Sequence, residues 1–263
     1  MFLMEYLTCN HMTTQEAFYS YIVRLGDDSL ILGQRLSEWC GHGPVLEEDI
    51  ALTNISLDLI GQTNNLYELA VLRENQGKNI DQLAFLRLEK EYENLLLVEQ
   101  PNVDFGYTIV RQFFFDVYRK LVFEALCNSS DERLAGIAEK SLKETKYHLK
   151  HSSEWVIRLG DGTEESHRRV QEAVNTLWKF TDELFFQDEV DQNVIELGLG
   201  VDNSNFKATW NSHVEHVLTE ATLTIPSNSW QHAGGRKGIH TEHFGYLLSE
   251  MQYMQRAYPN MEW

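Results

Sequence analysis

The stretch Glu144-Thr-Lys-Tyr147-His148-Leu-Lys-His151 gathers an acid, a phenol and two imidazoles within about two helical turns. A carboxylate and an imidazole three residues apart share one helix face, and four-helix di-metal proteins use a Glu-x-x-His spacing to project both ligands into the bundle core. Here the residue three positions after Glu144 is Tyr147, and histidines follow only at His148 and His151, off the ligand spacing. Three further acids, Asp28, Asp58 and Asp116, interrupt other apolar helical stretches. One acid per long helix, at nearly equal intervals in two successive helix pairs, is the layout of a carboxylate-bridged di-iron site. Its other ligands are missing. Gly61 stands where a histidine should follow Asp58, Tyr147 stands where one should follow Glu144, and Asp28, Asp58 and Asp116 are shorter than the usual Glu.

Shortening a ligand withdraws its carboxylate, and two absent imidazoles leave iron with few ways to complete its shell. A tight di-iron centre does not suit this donor set. Buried anions still need cations, hydrogen bonds or protons, and Lys120 beside Asp116 and the Tyr147 hydroxyl are the nearest such groups in sequence. Three readings stay open: a vestigial site (Asp28, Asp58, Gly61, Asp116, Glu144, Tyr147) held by hydrogen bonds and ion pairs, ordinary helix acids coinciding by chance, or a carboxylate-rich metal site of an unusual oxidase. The pairs His213-Val-Glu215-His216 and His240-Thr-Glu242-His243 match neither HExxH nor ExxH, so capping or interface roles are expected. The same holds for His148 and His151, with packing or support roles preferred. Arg236 and Lys237, between glycines and ahead of a helix, could hold a phosphate; a solvated turn is the expectation. No Ser-His-Asp order, P-loop or Rossmann fingerprint is visible.

The elements that must carry these residues are helices. Only four Pro and 16 Gly occur in 263 residues, of which 43% are apolar, in long runs of helical period. Helices are expected over about 14–40 (capped by Thr13 or Thr14), 46–76, 81–100, 104–127, about 132–160, from Thr163 to about 185, 206–225 and 241–257, with 187–205 a surface loop containing some short helix. Between Ile50 and Ile60 the second helix is apolar on nearly every side and should be central to the bundle. Residues 1–13 read as a polar, mobile extension, and residues 14–263 as one domain. A net charge of −18 argues against nucleic acid or an anionic membrane as partner and favours a basic one. Cys9, Cys40 and Cys127 are odd in number and form no CxxC pair, so free thiols in the cytoplasm are expected.

Several segments carry a resemblance: Arg24-Leu-Gly-Asp27, Gln34 to His42, Asn94 to Pro101, Tyr147-His-Leu149, Arg158 to Thr163, and His240 to His243 with Glu250-Met-Gln-Tyr253. Together they resemble the C subunits of the ring-1,2-phenylacetyl-CoA epoxidases, bacterial multicomponent oxygenases of phenylacetate degradation. The resemblance extends from about residue 15 to the C-terminus. It implies a ferritin-like four-helix bundle with additional C-terminal helices, and a protein with neither catalytic residues nor a metal or cofactor of its own. A homologous A subunit would hold the di-iron centre, and a separate reductase would deliver electrons. The chain would pair with the A subunit, and could form a homodimer in isolation.

Overall fold

In the computed structural model, residues 12–74, 79–227, 230–259 and 261 are described; the 1–11 part of the extension, with Cys9, and the Gly77 helix stop fall outside them. The chain is all-α, with no strand among the described residues. Its helices are α1 (Thr14–Ser37), α2 (Leu46–Glu74), α3 (Phe105–Leu126), α4 (Glu132–Gly160), α5 (Glu164–Leu177), α6 (Glu189–Glu196), α7 (Lys207–Glu220) and α8 (Glu242–Ala257). α1 packs on α2 and α3 on α4, α2 joins the two hairpins by packing on α4, and α5, α6, α7 and α8 surround them. This is the pairing that a ferritin-like bundle requires.

Local chemistry sets the helix starts. Thr13 accepts from the Glu16 amide while the Glu16 side chain returns to the Thr13 amide, closing a capping box on α1. Asp104 caps α3, Asp131 caps α4, and Asp188 caps α6. The Thr163–Ser166 pair opens α5 as the sequence implies. The first hairpin turns through Gly41, whose φ of 82° suits glycine.

Two expectations fail. Residues 81–100 do not form one helix: a single π turn (Gln82–Leu86) and a 3-10 turn (Glu89–Glu91) lead into a non-helical segment, irregular over 92–95 and a hydrogen-bonded turn over 96–99, which is buried from Asn94 to Gln100. Its amides are taken by buried carboxylates. Asp27 accepts from Glu93 N at 2.8 Å, Asp28 from Leu95 N at 2.9 Å and Glu183 from Leu96 N at 2.7 Å. Those bonds replace ones a helix would make internally, and Leu95, Leu96, Leu97 and Val98 enter the core from a non-helical backbone. The second failure is α2. Its Leu52, Ile55, Leu59 and Leu66 are buried, but Val45 just before it and Leu46, Ile50, Leu57, Ile60 and Leu72 along it are exposed, so its apolar circumference is divided between the core and the surface.

Smaller differences follow from the same competition. The predicted sixth helix stops at Leu177 and continues as 3-10 turns to Phe185, and the seventh ends at Glu220. Within the 187–205 region, α6 buries Val190 and Val194 against α1. The Ala233–Gly238 segment is not a solvated turn. Gly235 lies so close to the buried non-helical segment that a Cβ there would stand 2.0 Å from the Asn94 carbonyl oxygen, and Gly238, with φ 67°, would set one 2.2 Å from that of Lys90. Gly235→Ala must push these two backbones apart, and overpacking of this kind costs about 1–3 kcal/mol. Urea unfolding should show that loss as a lower midpoint with an unchanged slope.

Candidate functional site

The four candidate acids do not meet at one point. Asp28, near the middle of α1, is fully buried and belongs to an ion cluster with the C-terminal loop. Arg236 donates to it through Nη1 at 3.0 Å and Nη2 at 2.8 Å, and Arg119 of α3 places Nη1 3.6 Å away. Its neighbour Asp27, equally buried, accepts from Tyr67 Oη at 2.5 Å and from both terminal nitrogens of Arg87. Arg236 is therefore an internal counter-ion, neither a phosphate ligand nor part of a solvated turn; the exposed side chain there is Lys237.

Among the described residues, no arginine or lysine pairs with Asp116. Lys120 turns away to Glu124 at 3.0 Å, and the Asp116 carboxyl instead accepts from Gln112 Nε2 at 2.7 Å and Ser152 Oγ at 2.8 Å. Burial raises its pKa from the usual carboxylate range to about 7, although the His148 charge and both hydrogen bonds pull the other way. Asp58 lies partly open at the α2–α4 seam, with its Oδ2 3.0 Å from His148 Nε2. Glu144 accepts from Gln62 Nε2 at 3.0 Å. Farther along the seam, His151 Nε2 is 2.8 Å from Glu48.

The inward face of α4 is one residue out of register with the one that the Glu144 spacing suggests. Tyr147 is 57% exposed, so its hydroxyl neutralises none of these acids, and Gly61 has open space around its Cα. The buried stripe is Ser141, Thr145, His148 and Ser152, which puts Thr145 three residues before the inward histidine. That stripe of four-, three- and four-residue steps is visible in the sequence, hidden only because its members are small and polar. Across from α4, α2 contributes Asp58 and Gln62, while Ser56 and Thr63 of α2 donate to the Gly33 and Gly26 carbonyls of α1, and α3 contributes Asp116 with Gln112 beside it.

A di-iron centre would need carboxylates and imidazoles free to turn toward a shared point. These residues do not fit it: the Glu position before His148 is a threonine, and each candidate carboxylate already meets a protein donor. What the arrangement can do is hold charge and protons while tying helices together. The other histidines follow suit. His240 sits with Nδ1 2.8 Å from Glu99 Oε2 and Nε2 2.9 Å from the Tyr92 carbonyl, and stacks on Phe244. Both ring nitrogens face acceptors, so both donate, and the Glu99 bond and charge raise its pKa despite burial. His213 and His216 lie on the exposed side of α7.

Two outcomes test this division of labour. Arg236→Met strands the buried Asp28 anion and should cost about 3–5 kcal/mol, whereas Arg236→Met with Asp28→Asn should recover part of the loss in denaturant midpoints. Asp116 binds its proton near pH 7 in the fold and near pH 4 in the unfolded chain, so stability should fall as pH rises from about 4 to 7. Asp116→Asn, which keeps the shape of the protonated acid, should flatten that slope by about 1–3 kcal/mol, read from unfolding curves at pH 5 and pH 8.

With this geometry in place, comparison with known proteins gives two findings. Residues 4–263 match the family model described as phenylacetic acid catabolic protein. The chain is also 48% identical, over 244 residues, to the Escherichia coli (strain K12) protein named as the C subunit of 1,2-phenylacetyl-CoA epoxidase; the match covers 93% of this chain and 98% of that protein. A helical frame whose candidate acids are occupied by its own donors is thus a member of the phenylacetic acid catabolic protein family.

Proposed function

We propose that this chain is a non-catalytic structural subunit of a multicomponent oxygenase that epoxidises the aromatic ring of phenylacetyl-CoA. In this reading it pairs with a homologous catalytic A subunit that carries the di-iron centre, and steadies the helices that hold that metal. Electrons reach the partner from a separate reductase, and the complex works in the cytoplasm as part of phenylacetate breakdown. The chain itself is one domain that supplies no catalytic residue and takes no cofactor.

One observation carries the reading: every acid of the candidate set is held by the protein's own donors. Arg236 holds Asp28, Gln112 and Ser152 hold Asp116, His148 meets Asp58, and Gln62 holds Glu144. Releasing these carboxylates to a metal would leave the guanidinium of Arg236 buried without its anion, at a cost of several kcal/mol. The name of the E. coli relative, that of an epoxidase component, supports the reaction class.

The test is to purify the chain alone and with its A partner, measure iron per chain, and follow oxygenation of phenylacetyl-CoA with the reductase present. Iron and activity should appear only with the partner. Stoichiometric iron bound tightly by the isolated chain, and lost on Asp58→Ala or Glu144→Ala, would instead make it an oxidase with a carboxylate-rich site.

A further inference from the structure

A cavity of about 630 Å³ opens between the Ala233–Gly238 turn and the start of α6, within the size range of small-molecule sites. Buried bonds hold both of its walls. Glu183 accepts from Leu96 N, Gly234 N and Gly235 N, and Arg236 turns inward to Asp28, so the turn cannot leave the core without breaking them. On the other side Arg24 grips Asp188, the cap of α6, through bonds of 2.8 and 2.7 Å. Phe186 and Ile239 line the cavity and are 53% and 64% exposed, so the chain's own packing leaves apolar surface there uncovered. Walls fixed before a ligand arrives lose little freedom on binding it.

Asp191 of α6 lines the same cavity. It is only 7% exposed, and an aspartate so deeply buried is ordinarily paired. Its Oδ2 accepts from the Asp188 amide at 3.1 Å and lies 3.6 Å from Arg24 Nη1, beyond hydrogen-bond reach. Its Oδ1 has no hydrogen-bond donor among the described residues. Arg24 is already taken up by Glu93 at 2.5 Å and by Asp188, and Arg236 by Asp28. Burial raises the Asp191 pKa although both arginines oppose it, as expected of a carboxylate short of donors. The lining also includes Lys237, whose side chain is exposed and forms no ion pair among the described residues.

We infer that this cavity is a binding site for a small arylalkylamine, with the ammonium on Asp191 Oδ1 and the aromatic stem between Phe186 and Ile239. An ammonium supplies the missing donor together with the opposite charge, and charge-assisted hydrogen bonds of this kind are the strong ones. A flat ring covers the exposed apolar surface, and the face of Phe186 adds an attraction for the cation. A carboxylate ligand would meet Glu183, Asp188 and Asp191 in one lining and is disfavoured. The net charge of −18 draws cations toward the chain in the same sense. A lysine side chain of another protein carries the same head group without a ring, so the aromatic stem separates these two sources. The inference does not rest on the scaffold reading.

The experiment is calorimetric titration of the full-length chain with phenethylamine at a fixed, physiological ionic strength, beside phenethyl alcohol, hydrocinnamate and Nα-acetyl-lysinamide. Phenethylamine should saturate a single site per chain, and the neutral alcohol, the anion and the ring-less lysine amide should each bind more weakly. Asp191→Asn should lower the affinity about tenfold, the contribution of one hydrogen bond to a charged group, and Phe186→Ala about threefold. Lys237→Met removes a like charge from the lining and should raise it about twofold. Phe186 and Lys237 are exposed, so these two variants keep the fold and read the site even where Asp191→Asn does not. Glu250→Gln, at an exposed acid of α8, controls for general attraction to an acidic chain and should change nothing. The inference is overturned by an absence of saturable binding, by an anion that binds as well, by a loss in Glu250→Gln as large as in Asp191→Asn, or by weaker binding in Lys237→Met. Tighter binding of the lysine amide than of phenethylamine would also overturn it, and would make the cavity a dock for a basic side chain.

Discussion

Asp27 and Asp28 are adjacent, fully buried carboxylates at the centre of α1, and much of the architecture follows from the need to satisfy them. A bare buried anion costs several kcal/mol, so each must gather donors from elsewhere in the chain. Asp27 draws in Tyr67 of α2, Arg87 and the Glu93 amide; Asp28 draws in the Leu95 amide and the Arg236 guanidinium. Those amides are available only because residues 92–100 are not helical. The same two acids therefore fix a non-helical segment in the core and anchor the Gly235–Lys237 turn, more than 200 residues downstream.

Asp116 shows the other way to bury an acid. It lies on α3 with neutral donors from Gln112 and Ser152, and burial raises its pKa to about 7 against the opposing pull of His148 and those two hydrogen bonds. Its proton takes the place of a counter-ion, and the site becomes a hydrogen-bonded joint between α3 and α4. His148 in turn reaches Asp58 across the seam between the hairpins. An arginine, neutral hydrogen-bond donors and an imidazole thus partner three acids that the di-metal pattern would assign to metal, a structural use of the bundle interior that suits a supporting chain.

The second helix divides its apolar residues between two duties. Leu52, Ile55, Leu59 and Leu66 fill the chain's own core, while Leu57 and Ile60 lie on the surface two or three positions away. A helix with a low amphipathic contrast reads from sequence as central, but the same pattern arises when one face packs inside a protomer and the other meets a second chain. Here the tertiary packing leaves that outer face uncovered. The scaffold reading begins from a bundle that spends its interior on holding itself together.

By itself, the sequence determined the all-α class, the helical pairs, the caps at Asp104 and Thr163, with Thr13 one of two candidates for α1, and the lack of a histidine three residues after Asp58 or Glu144, because period, capping chemistry and ligand spacing are local properties of the chain. It also pointed to acids in the core helices. It could not decide which faces those acids occupy. Reading α4 from Glu144 selected Tyr147, while packing chose the stripe one residue on, through Thr145 and His148, since rotation of a helix is set by its neighbours. Likewise Lys120 is close to Asp116 in sequence yet pairs with Glu124, and Asp28 finds its counter-ion in the distant Arg236. The non-helical 92–100 segment was illegible for the same reason: its leucines suit a helix, and the buried carboxylates of α1, with Glu183, make a non-helical backbone the better bonded state.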